Sequence, residues 1–112
     1  MKITKKVSLG GKFAKLGEDY KDQDYMRILD AGKEVEGEFG TQVIFKVKVP
    51  SGEERITGFN QTSLNFLLEI YGDDSEGWID KPVRVNVVKQ NVGGKFKNVN
   101  YFTGPDQELV LE

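Results

Sequence analysis

Cations set around an aromatic ring can neutralise phosphates while the ring stacks an unpaired base, and residues 41–60 carry such a set in Lys46, Lys48, Arg55 and Phe59. The stretch reads as a β-hairpin. In its first arm Val43, Phe45, Val47 and Val49 recur at every second position and belong to a buried face, which leaves Gln42, Ile44, Lys46 and Lys48 on the other. Pro50, Ser51 and Gly52 turn the chain. In the return arm Ile56 is assigned to the buried set, and Arg55, Thr57 and Phe59 to the outer one. On that assignment Phe59 stacks a base, the three cations meet phosphates, and Ile44 packs against a sugar or base edge. The same pattern also suits a plain half-buried hairpin, because Lys and Arg on exposed strands guard sheet edges against aggregation.

A second constellation follows the run Asn91, Val92, Gly93, Gly94, which is a strong turn signal. Lys95, Phe96 and Lys97 then place a ring between two cations at a hairpin tip that could close over a strand of ligand. Arg84 and Asn86, earlier in the same hairpin, extend the candidate surface. Trp78 follows Asp74 and Glu76, which repel phosphate, so it is assigned to packing against the end of the core. For Tyr20 and Tyr25 the strand parity is open.

The chain contains no cysteine and no histidine. Disulfides, Cys/His zinc sites, thiol nucleophiles and the usual imidazole base are thereby excluded. Catalysis would have to rest on carboxylates, Lys or Tyr, none of which forms a recognisable motif, so a non-enzymatic protein without cofactor or metal is expected. The formal net charge of −2 is inconsistent with nucleic-acid binding by bulk charge alone. Distribution matters more. Lys2, Lys5, Lys6, Lys12 and Lys15 precede any acid, whereas acids gather at Glu18 to Asp24, at Asp73 to Asp80 and in the last seven residues.

The elements that must position these residues follow from the same patterns. At 112 residues the chain supports one core. Residues 1–20, rich in Lys and Gly without apolar period, read as a basic flexible arm; 21–105 as the folded domain; 106–112 as an acidic tail. From Tyr25 a long first strand is expected, kinked at Ala31 and Gly32. The hairpin supplies strands two and three. A helix is predicted over residues 60–71, with Thr62 or Ser63 as its cap, an apolar stripe at Leu64, Leu67, Leu68 and Tyr71, and Gly72 as its stop. Val83, Val85 and Val87 mark strand four, and residues 96–103 strand five. Three strands, a helix and two strands is the order of the OB fold. The expected class is therefore all-β with one helix: a five-stranded Greek-key barrel with the helix between strands three and four. In such a barrel strands two and three, with the loop joining strands four and five, build the ligand face.

The run Val35 to Phe39, the Leu-rich helix and the segment Trp78, Ile79, Asp80, Lys81, Pro82, Val83 resemble small single-stranded DNA-binding OB-fold proteins of archaea and phages, of the replication protein A type. The resemblance spans residues 25–105. It departs at Asp80, where such proteins usually carry Gly, and at Pro82 after the Lys. It implies single-stranded DNA as the partner, with low sequence preference, in replication, recombination or repair. RNA is a near neighbour, and a protein-interaction or oligomerisation barrel is the alternative from another class. The acidic tail, loosely similar to those of bacterial single-stranded DNA-binding proteins, suggests contacts to replication or repair proteins. No segment resembles a signal peptide or a membrane span, so an intracellular, cytoplasmic setting is expected.

Overall fold

A computed structural model describes residues 11–37 and 40–111. Strands β1 (Tyr25–Ile28), β2 (Lys33–Gly37), β3 (Gly40–Lys48) and β4 (Glu54–Phe59) precede the helix α1 (Gln61–Tyr71). A 3-10 turn, Ser75–Trp78, leads to β5 (Pro82–Val92) and β6 (Lys95–Thr103). The chain is a small, mostly β domain with one helix and an open antiparallel sheet.

The expected kinked first strand is present as two pieces. β1 pairs with the end of β3, Arg27 opposite Lys48, and β2 pairs with its start, Lys33 opposite Ile44. Between them the Asp30 carboxylate accepts from the backbone N–H of both Gly32 and Lys46, each at 3.0 Å, and so fixes the bend. Gly32 has φ +81°, and a Cβ there would lie 2.8 Å from the Phe45 ring, so the bend requires glycine on two counts. Because the first strand is divided, the described residues form six strands where five were expected, and α1 follows the fourth.

β1 also pairs with β5, β5 with β6, and β4 lies along the other edge of β3. Among the described residues no strand ladder joins β4 to β6. Side chains bridge that seam instead: the Phe59 and Phe102 rings stack at 4.5 Å, Phe102 N–H donates to Ser63 Oγ at 2.8 Å, and the Asn60 amide donates to the Asn100 carbonyl at 3.0 Å. The core of Met26, Ile28, Phe45, Val47, Phe59, Leu67, Trp78, Val83, Val85 and Phe102 fills the concave side of the sheet under α1.

Asn60, not Thr62 or Ser63, caps α1: its Oδ1 accepts from Ser63 N–H at 2.9 Å and from Ser63 Oγ at 2.6 Å. Gly72, at φ +88°, ends the helix and donates to the Leu68 carbonyl at 3.1 Å. Leu64, Leu67 and Tyr71 face the core, while Leu68 and Ile70 remain exposed. Trp78 packs as expected, stacked on Phe45 at 5.6 Å with its indole N–H on the Gly72 carbonyl at 2.8 Å.

Residues 1–10 of the expected arm lie outside the described residues. From Gly11 onward the chain is docked rather than loose. Phe13 bridges Ile56 in parallel: Ile56 N–H donates to the Lys12 carbonyl at 2.8 Å, and Ala14 N–H to the Ile56 carbonyl at 2.9 Å. Tyr20 is buried against the core, which pushes its phenol pKa up. Asp22 to Asp24 strap β5, through Gln23 N–H to the Val85 carbonyl at 2.8 Å and Val87 N–H to the Asp22 carboxylate at 2.9 Å. After β6 the Gln107 amide ties the chain back to Gly104 and Phe66, and residues 104–111 form no strand. Among the described residues no helix is long and apolar enough to cross a membrane.

Candidate functional site

The first arm of the hairpin faces as its alternation implies: Phe45, Val47 and Val49 are buried in the core, and Gln42, Ile44, Lys46 and Lys48 lie on the outer face. The return arm has the opposite parity to the one expected. Cross-strand partners share a face in an antiparallel pair. Lys46 lies opposite Ile56 and Ile44 opposite Gly58, whereas Phe45 lies opposite Thr57 and Val43 opposite Phe59. Arg55, Thr57 and Phe59 therefore leave the outer face, and Ile56 joins it.

Phe59 is 3% exposed, with its ring 4.6 Å from Phe45, and cannot stack a ligand without unfolding the core. Thr57 is buried beside it. Ile56 and Phe59 have opposite parity on β4, so only one of them can point inward. The larger ring, completing a stack from Trp78 through Phe45 to Phe102, takes that place. Ile56 is still only 1% exposed, because the 11–14 segment lies along β4 and Gly11 sits against its side chain. Ile44 is buried as well, beside Gly58.

The charges also differ from the expected array. Arg55 is held in ion pairs, its Nε 3.3 Å from Asp19 and its terminal nitrogen on Glu53. Lys46 lies 4.0 Å from Glu54. Lys48 is exposed, with no ion pair among the described residues, and Arg27 stands directly opposite it on β1. Arg27 was not singled out in the sequence, although the alternation of buried Met26 and Ile28 places it outward.

On β5, Arg84 donates to the Pro105 carbonyl at 2.9 Å and to that of Gln107. Asn86 is 5% exposed and bonds to Gln23, to the Tyr101 carbonyl and to Thr103. Both are committed to holding the chain together, so neither extends a ligand surface as expected.

Lys95, Phe96 and Lys97 are exposed at the tip of the hairpin formed by β5 and β6. Gly93 and Gly94, at φ +61° and +85°, form a tight turn in which Gly94 N–H donates to the Asn91 side chain at 3.1 Å. Phe96 is 70% exposed, the highest value among the exposed large apolar side chains. It lies opposite Asn91, on the face that carries Lys89 and Asn98. Residues 81–105 hold Lys81, Arg84, Lys89, Lys95 and Lys97 and no acid, so this hairpin is a cationic arm on a chain of net charge −2. Among the described residues no group of three or more carboxylates could hold a metal ion. The chain matches no protein-family model, and no curated protein significantly similar to it is found.

Proposed function

We propose that this chain is a non-enzymatic module that binds single-stranded DNA with little sequence preference, acting in replication, recombination or repair. The observation that carries the reading is Phe96. A phenyl ring held out into water on the face that carries Lys89, with Lys95 and Lys97 adjacent in the chain on the opposite face of a hairpin without acids, is suited to stacking a base while these cations attract the phosphates. Lys48 on the outer face supplies a further cation, and Arg27 opposite it stays exposed although its Nη1 donates to the Asp80 carbonyl at 2.6 Å. A duplex hides its base faces, which favours the single strand.

The architecture supports an OB-type barrel. Taken as one bent strand, β1 and β2 give the five-strand order of that fold, and stacking of Phe59 on Phe102 brings β4 towards β6 beneath α1. The exposed Asp106, Glu108, Val110 and Leu111 after β6 offer a contact for another replication or repair protein.

Anisotropy of a labelled thymidine oligonucleotide, titrated at low and moderate salt with duplex as competitor, tests the reading. Binding that weakens with salt and resists duplex is expected, with Phe96→Ala losing about 1–3 kcal/mol. A uridine oligonucleotide competing equally well would widen the ligand to RNA. Absence of binding at low salt would sink the reading in favour of a protein-interaction module, for which the exposed Leu68, Ile70 and Ile79 offer apolar contacts.

A further inference from the structure

The outer face of the sheet lost the aromatic ring that the sequence assigned to it, yet two others stand there. β1 alternates, so that Tyr25 and Arg27 point outward while Met26 and Ile28 are buried. Tyr25 is 54% exposed, and its hydroxyl makes no hydrogen bond among the described residues. At the opposite edge, Phe13 is paired with Ile56, which in turn lies opposite Lys46. Phe13, Ile56 and Lys46 thus form a row across three adjacent segments. Phe13 is 49% exposed, although two backbone hydrogen bonds hold its neighbours against β4. Lys12 and Lys15 are exposed on either side of it.

We propose that a single strand crosses this face diagonally, stacking bases on Tyr25 at one end and Phe13 at the other, with Arg27, Lys48 and Lys46 neutralising the phosphates between. The inference rests on the nucleic-acid reading above and adds to it a surface separate from the hairpin tip. With strands about 4.8 Å apart and same-face residues about 6.8 Å apart along a strand, the two rings are on the order of 20 Å from each other. The cations occupy the interval: Arg27 is the next outward residue after Tyr25, Lys48 lies opposite Arg27, and Lys46 is the next outward residue on β3. Acids border the path: Asp80 lies beside Arg27, whose guanidinium donates to the Asp80 backbone carbonyl at 2.6 Å, and Asp30 accepts from the Lys46 backbone N–H at 3.0 Å. Glu54 lies opposite Lys48 and within 4.0 Å of Lys46, Asp19 is tied to Arg55 and to Lys15 N–H, and Glu18 is exposed beside Lys15. From Tyr25 to Lys48 the phosphate path keeps to the β1 side of β3, and beyond Lys46 it crosses β4 along the row of Ile56, two residues away from Glu54.

The test is binding of labelled thymidine oligonucleotides to the full chain and to Phe13→Leu, Tyr25→Leu and Phe96→Ala, with thermal melts to check folding. Leucine keeps an apolar side chain where each ring sits and removes the π face. Each leucine variant should bind about fivefold or more weakly, at unchanged melting temperature. Lys48→Gln should lower the slope of log affinity against log salt by about 0.7. Phe13→Trp supplies an independent signal, since Trp78 is buried: oligonucleotide should quench the emission of the introduced indole. If Phe96→Ala weakens binding while both leucine variants bind like the unaltered protein and the indole is not quenched, the diagonal track is wrong and the hairpin reading stands. If the unaltered chain binds no oligonucleotide, both fall together.

Discussion

Phe59 and Phe96 are the same side chain in opposite surroundings, and each should respond to truncation in its own way. Phe59 lies between Phe45 and Phe102, so Phe59→Ala removes a buried ring from both stacks. It should cost about 3–5 kcal/mol of unfolding free energy, read from the denaturant midpoint. Phe96→Ala, at the tip, should leave stability within about 0.5 kcal/mol of the unaltered protein while weakening oligonucleotide binding. Sequence alternation could not tell these roles apart. β4 contains Ile56 and Phe59 at opposite parity with Thr57 and Gly58 between them, and none of these residues declares a face by itself. The choice is made by partners distant in sequence, above all Phe102, whose ring completes the stack. By contrast β3, with Val43, Phe45 and Val47 inward in alternation and Val49 continuing the pattern just beyond it, was legible without any partner.

Elements were legible wherever a local signal sufficed. α1, the Gly93 and Gly94 turn and the division of the first strand near Gly32 each carry one. The cap was misassigned to Thr62 or Ser63 because all three residues from Thr62 back to Asn60 can accept or donate near a helix start; Asn60 also reaches β6, which only the tertiary structure reveals. Asn60→Ala should therefore cost more than an ordinary cap, about 2 kcal/mol in a denaturant titration, since it also frees the Asn100 carbonyl. Docking of the 11–14 segment was illegible for another reason. It is held by backbone hydrogen bonds to Ile56, which leave no mark on side-chain periodicity. The strap at Asp22 to Asp24 has a pH signature. Val87 N–H, and secondly the Gln23 amide, hold the Asp22 carboxyl below its ordinary pKa. A carboxylate favoured in the folded state adds stability that is complete above about pH 4 and fades as the pH falls through the lowered folded value. Melting temperature measured from pH 6 downward should fall less steeply in Asp22→Asn than in the unaltered chain.

At the scale of the whole molecule, the sheet stays open among the described residues where β4 faces β6, and the side chains of Phe59, Asn60 and Ser63 reach across to β6. Amides flanking that seam should exchange with deuterium faster than those of the long β5 and β6 ladder, whose nine opposed pairs protect each other. The other free border of β4 is treated differently. A strand at the rim of a sheet offers its unpaired N–H and C=O groups to any passing chain, and proteins that leave such a rim bare tend to polymerise. Here both backbone groups of Ile56 are already taken by Lys12 and Ala14, and its side chain is covered. The 11–14 segment is thus a built-in guard against self-association as well as a carrier of Phe13. A chain beginning at Gly17 would bare the backbone and side chain of Ile56 together, and light scattering should show it assembling into larger particles as its concentration rises, while the full chain remains unchanged over the same range.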